Sequence, residues 1–276
     1  MTTRSIRLQP GRALASVRKI MAVLSRTSPG EILRGGVRLL LIGVVLPPAL
    51  LLHLLWLGAK SPSPWPRLFL RLTARVLGVR VRSTGTPLRR NVFYVANHLS
   101  WIDIPVFGGL TGTAFVAQDG VAKWLVIGML AKLNRTIFVS RTAKQNVTQQ
   151  IADLRAAIAE NWTVTLFPEG TTSDGAGLLP FKPSLFATMA PPARPMLIQP
   201  VWLDFGAVGA EIAWVGEETG WQSAARALVR KGSYPVTVNF LEPFDPSTCT
   251  DRKAVAATAR AAIAAAIEAS RGIAVV

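Results

Sequence analysis

The sequence predicts an α/β protein: a mixed, largely parallel sheet flanked by helices, preceded by an N-terminal membrane-associated helical segment. Three observations carry this. From about Val79, short β-rich runs alternate with helical stretches, the pattern of a sheet with helices on its faces. From Leu39 to Ala59, 21 residues pass without Asp, Glu, Lys or Arg, which as a helix would span roughly 30 Å. The net charge of +16 over 276 residues is also lopsided. Residues 1–102 hold 16 Lys/Arg against the single acid Glu31, whereas the remainder holds 15 Lys/Arg and 14 acids.

In the N-terminal third, the apolar run is bracketed by Arg34 and Arg38 on one side and by Lys60, Arg67, Arg71 and Arg75 on the other. A nucleic-acid reader interleaves its cations with polar and aromatic residues along a face. A greasy run between basic flanks points to an anionic membrane instead, with no nucleic acid. Pro47-Pro48 sits mid-run, where proline removes helical hydrogen bonds. Two half-helices dipping into one leaflet satisfy both the prolines and the two basic flanks; a kinked span satisfies only the length. Next comes an amphipathic stretch from Trp65 to Leu77 whose arginines recur every four residues, the pattern of a helix lying on anionic lipid. Residues 1–78 therefore read as a basic anchor and 79–276 as one domain.

Within that domain the expected strands are 92–96, 113–117, 136–140, 163–167, 197–202, 211–215 and 235–240. Helices are expected near 104–110, 121–132, 143–160, 182–190, 221–231 and 252–271, the last Ala-rich and closed by Gly272. Half of the chain is apolar and 17% is charged, which excludes a disordered chain. The lone Cys249 excludes a disulfide framework. With only His53 and His98 beside it, no zinc site assembles, so no metal is expected.

Open α/β sheets bind ligands beyond the carboxyl ends of their strands. Three loops there are chemically suggestive. Asn97-His98-Leu99-Ser100-Trp101-Ile102-Asp103 follows the first of these strands. His98 in the loop meets Asp103 if the next helix begins near Asp103, and Pro105 supports that start. The plainer alternative makes Asp103 a helix cap and His98 an ordinary loop histidine. Phe167-Pro168-Glu169-Gly170-Thr171-Thr172-Ser173 follows an apolar strand and offers backbone N–H groups suited to an anion or oxyanion. A third strand delivers Arg141 to the same edge.

Taken in order, these blocks together with Gln199-Pro200-Val201 resemble the glycerolipid acyltransferase family typified by bacterial lysophosphatidic acid acyltransferases, over roughly residues 80–240. The run Glu-Gly-Thr-Thr-Ser-Asp-Gly and the Leu-Pro-Phe-Lys-Pro-Ser-Leu-Phe after it look most like the branch that acylates lyso-ornithine lipid. Two positions depart from the family: Ser140 replaces its usual acid, and Thr172 its usual arginine. Threonine cannot supply the cationic fork that suits phosphate, so the second departure argues against a phosphate-bearing acceptor.

The resemblance implies an O-acyltransferase on the cytoplasmic face of a bacterial inner membrane, moving an acyl group from acyl-carrier protein or acyl-CoA to a lyso-lipid hydroxyl, without a resident cofactor. His98 would be the general base and Asp103 its partner. Arg141, Glu169, Gly170, Thr171, Thr172 and Lys182 would bind the acceptor, with the hydroxyls of Thr171, Thr172 and Ser173 facing its amide and carboxylate. Two alternatives remain: an enzyme making phosphatidic acid, and a catalytically silent lipid-binding protein, the latter disfavoured by the presence of both His98 and Asp103.

Overall fold

The computed structural model describes residues 28–59, 61–139, 163–192 and 194–272, with the isolated positions 152, 155, 156, 158 and 160. Ser28 opens helix α1 (Pro29–Trp56) with a capping box, its side chain accepting from the Glu31 N–H while its own N–H donates to the Glu31 carboxylate at 2.7 Å. The helix runs unbroken through Pro47 and Pro48, which corrects the expected break into two half-helices. Proline's fixed φ is itself helical, so the pair removes two donors without ending the helix. The reversal falls instead at residues 57–64, where Gly58, Pro62 and Pro64 gather. By length and composition α1 could cross a membrane, and only 6% of its apolar window is buried. It is not a core helix.

Helix α2 (Trp65–Val76) returns along α1 and packs on α3 (Asp103–Thr111). The approach is close: a Cβ added at Gly109 would lie 2.7 Å from the Arg71 Cα. Arg67 donates to the Leu110 carbonyl at 2.7 Å, satisfying an otherwise orphaned acceptor in the last turn of α3. The expected arginine stripe is thereby divided. Arg67 is half-buried on protein, while Arg71 and Arg75 stay exposed. Arg38 plays a similar part for α7 (Gly220–Val229): its Nη1 lies 3.1, 3.0 and 2.8 Å from the carbonyl oxygens of Ala227, Leu228 and Arg230, and Arg34 reaches that of Val229 at 2.6 Å. Two cations that bracket the apolar run thus cap a helix C-terminus.

Seven strands, β1 (Val79–Thr84), β2 (Val92–Ala96), β3 (Ala114–Gln118), β4 (Ile137–Val139), β5 (Thr163–Leu166), β6 (Leu197–Asp204) and β7 (Tyr234–Phe240), form one sheet in the order β1-β7-β6-β2-β5-β3-β4. Every neighbouring pair is parallel except β6 and β7. The carboxyl ends of β2 to β6 therefore share one edge, and β1 and β7 run the other way. One face buries Leu77, Tyr94, Phe107 and Val236 under α2 and α3; the other buries Ile198, Phe186, Ile158 and Ile263 under α8 (Arg252–Arg271).

The elements expected at 211–215 and 182–190 differ in the structure. Residues 211–215 are not a strand: α6 (Gly209–Ile212) is a single helical turn leading into a loop, and Arg226 holds it by donating to the carbonyls of Glu211 and Ala213. Residues 182–190 contain only the 3-10 turn Pro183–Phe186. Between β3 and β4 lie the short α4 (Asp119–Ala122) and α5 (Leu125–Leu133). Most of the helix expected over 143–160 lies outside the described residues.

Candidate active site

Strands β2 and β5 are parallel neighbours with Val95 opposite Leu166, so the loops that follow them leave the same edge side by side. In the first loop, His98 Nδ1 lies 2.6 Å from Asp103 Oδ2. Asp103 is wholly buried in the first turn of α3 and does not cap it; the N-cap is Ile102, without a side-chain bond. Its Oδ2 also accepts the backbone N–H groups of Leu99 at 2.7 Å and Ser100 at 3.0 Å. Oδ1 is buried and has no hydrogen-bond partner among the described residues.

An oxygen already accepting two N–H groups takes a third from the ring, which selects the imidazole tautomer with hydrogen on Nδ1 and a lone pair on Nε2. Among the described residues Nε2 makes no hydrogen bond. The imidazole stacks on Phe167 with centroids 4.2 Å apart and planes 15° apart, and Phe167 in turn stacks on Phe115. The His98 side chain keeps 20% of its surface exposed. It is fixed by its neighbours yet reachable from solvent.

The second loop holds the first by its backbone. Glu169 Oε1 accepts the His98 N–H at 2.8 Å and Oε2 the Leu179 N–H at 3.3 Å. The glutamate is buried, and that burial pushes its carboxyl up to about 7 despite the two N–H donors. Ser173 closes the junction from the other side, its N–H and Oγ donating to the His98 carbonyl at 2.8 and 3.2 Å. Gly170 has φ +68°, and a Cβ there would meet Lys182 Nζ at 2.6 Å. The absent side chain lets the exposed Lys182 cross the loop. Gln118, the last residue of β3, donates to the Gly170 carbonyl at 3.2 Å.

The three hydroxyls expected to face the acceptor differ in their surroundings. Thr172 donates to the Trp214 carbonyl and Ser173 to that of His98, which leaves Thr171 exposed with its hydroxyl unengaged among the described residues. Gln199 is buried and structural, bonding the carbonyls of Thr86 and Leu241 and the N–H of Leu88. Arg141 lies outside the described residues. Sequence reasoning gave Asn97 no role, yet its amide bonds both the N–H and the carbonyl of Leu203, at 2.7 and 3.1 Å. A polar residue directly after a buried strand was the available signal. Among the described residues no cluster of three or more His, Cys, Asp or Glu could hold a metal.

Residues 78–204 match a family model described as Acyltransferase. The lyso-ornithine lipid O-acyltransferase of Rhizobium meliloti (strain 1021) is 36% identical over 236 residues, covering 80% of this chain and 80% of the relative. That of Brucella abortus (strain 2308) is 32% identical, covering 74% and 83%. The crystal structure of the 1-acyl-sn-glycerophosphate acyltransferase from Thermotoga maritima superposes with a TM-score of 0.64 at 17% identity, covering 88% of this chain and 98% of that one. That likeness establishes the fold: a mixed, largely parallel sheet flanked by helices.

Proposed function

Because the chain belongs to the acyltransferase family, we propose that it moves a fatty acyl group from a thioester to the hydroxyl of lyso-ornithine lipid, giving ornithine lipid. The relatives named above carry the choice of acceptor. The His98–Asp103 pair, 2.6 Å apart beyond the end of β2, carries the chemistry.

His98 Nε2 takes the proton of the acceptor hydroxyl as its oxygen attacks the thioester carbonyl. The C–O bond forms, and the carbonyl π electrons move onto oxygen. Collapse of that intermediate breaks the C–S bond, and the leaving thiolate takes the proton back from the imidazolium. Asp103 fixes the ring and offsets its positive charge. No enzyme nucleophile is needed, since the acceptor itself attacks. The backbone N–H groups of Thr171 and Thr172 make no hydrogen bond among the described residues and are assigned to the oxyanion. Lys182 is assigned to the acceptor's carboxylate, and Glu169 and Gly170 shape the loop that presents these groups.

The donor is acyl-carrier protein or acyl-CoA, acting as co-substrate, and the protein needs no resident cofactor. We place it at the cytoplasmic face of a bacterial inner membrane, with α1 among the lipids and Arg71 and Arg75 toward anionic headgroups. The test is a transfer assay offering lyso-ornithine lipid and lysophosphatidic acid with the same donor. Preference for lyso-ornithine lipid is expected; equal or better use of lysophosphatidic acid overturns the acceptor assignment and leaves the acyltransferase chemistry standing.

A further inference from the structure

Helix α5 carries an apolar surface for which the catalytic machinery has no use. Leu125 is 90% exposed, and Trp124, Val126, Ile127 and Met129 are each exposed by between 44% and 51%. Across from them Trp221, the second residue of α7, is 78% exposed. Five exposed apolar residues within six positions of a short helix are a costly surface for water. Gly128, the buried residue of the helix, packs on the end of α4, where a Cβ would meet the Ala122 carbonyl oxygen at 2.4 Å.

The topology fixes where this surface lies. β3 ends at the catalytic edge, α4 and α5 follow it, and Asn134 just past α5 bonds the Thr113 carbonyl at the opposite end of β3 at 3.1 Å. Helix α5 therefore begins at the edge that carries His98 and descends from it. Contacts lead from its first turn to the site. A Cβ on Gly220 would meet Trp124 at 2.8 Å and Trp214 at 3.5 Å, and the Trp214 carbonyl holds the Thr172 hydroxyl.

We propose that α5 and Trp221 insert into the lipid bilayer beside the catalytic mouth, as a membrane contact separate from α1, so that a lyso-lipid reaches His98 without leaving the membrane surface. Charge favours lipid over a second protein surface: from Gly120 to Val139 there is no acid, while Lys123, Lys132 and Arg135 surround the apolar residues. Tryptophans at the rim suit the headgroup level.

This rests on the acceptor being a membrane lipid, but its test does not require turnover. In full-length protein carrying Cys249→Ser, Leu125→Cys is labelled with an environment-sensitive fluorophore and mixed with phosphatidylglycerol–phosphatidylcholine vesicles. Emission should shift to the blue, be quenched by lipids brominated in their acyl chains, and be shielded from aqueous iodide. A label that stays open to iodide on the vesicles overturns the proposal. So does shielding without vesicles that rises with protein concentration, which would identify a second copy as the occupant. As a second measurement, Leu125→Ser with Ile127→Ser should raise the KM for vesicle-embedded acceptor about tenfold, the effect of about 1.4 kcal/mol, and leave turnover of detergent-dispersed acceptor unchanged. Equal losses in both formats also overturn it.

Discussion

The Glu169 carboxylate receives the backbone N–H of His98 at 2.8 Å, so the loop after β5 grips the main chain of the residue that the loop after β2 presents. The His98 residue is thus held twice, by Asp103 at Nδ1 and by Glu169 through the backbone. Only the first hold reaches the ring itself.

His98→Ala should lower transfer by about 10²–10⁴-fold, the range for a lost general base, with vesicle binding unchanged. Asp103→Asn should lower it by at least about a hundredfold, since an amide neither offsets the imidazolium nor enforces the tautomer. Initial rates with saturating donor check both. Near wild-type turnover in either variant would remove the pair from the mechanism.

Glu169 should make the fold weaken with rising pH. Its carboxyl titrates near 7 when folded, against 4.5 for the ordinary group, so the native state binds more protons between those values. The stabilising effect of this proton is full below pH 4.5, declines as pH rises and is gone above about 7. Its span is roughly 3 kcal/mol at about 1.4 kcal/mol per pH unit. Denaturant melts from pH 4.5 to 8 should show this slope, and Glu169→Gln should flatten it.

Thr172→Arg should shift the preference toward lysophosphatidic acid. A new charge-assisted contact to phosphate is worth about 1.5–3 kcal/mol, or roughly ten- to a hundredfold in the ratio of kcat/KM values. Thr172→Val separates this from the lost bond to Trp214: it should cost about 1 kcal/mol of stability and leave the acceptor ratio alone. If Thr172→Val moves the ratio as far as arginine does, the phosphate argument is wrong.

Gly109→Ala should push α2 from α3, because the new Cβ meets the Arg71 main chain at 2.7 Å. Backbone yields less readily than a side-chain tip, so a loss of about 1–3 kcal/mol is expected. Thermal unfolding, with Gly120→Ala as the control in open space, measures it.

These variants divide by what the sequence made legible. His98 and Asp103 are five residues apart, and their meeting follows once a strand end and a helix start are placed. Glu169 and His98 are 71 positions apart, and nothing local records that a carboxylate accepts a distant main-chain N–H. Strand β1 is hard to read because its alternation of Val79 and Val81 with Arg80 and Arg82 offers only two apolar residues before Ser83 and Thr84. Residues 211–215 looked like a strand because Glu-Ile-Ala-Trp-Val has β-prone residues, but Arg226 pins their carbonyls in another shape. Arg34 and Arg38 read as lipid-facing cations because composition cannot distinguish a phosphate partner from carbonyl groups some 190 residues away.

The reversal of β7 against β6 has a consequence for orientation. Tyr234, the first residue of β7, lies beyond the carboxyl end of β6, and Gly232 just before it accepts from Arg38 of α1 at 3.5 Å. The apolar helix is consequently moored on the rim of the sheet where His98 opens. Had β1 and β7 run with the other five strands, the same mooring would sit at the opposite rim, away from the histidine's opening. The one antiparallel junction of the sheet therefore acts as a compass, setting the apolar helix and the histidine's opening on the same rim.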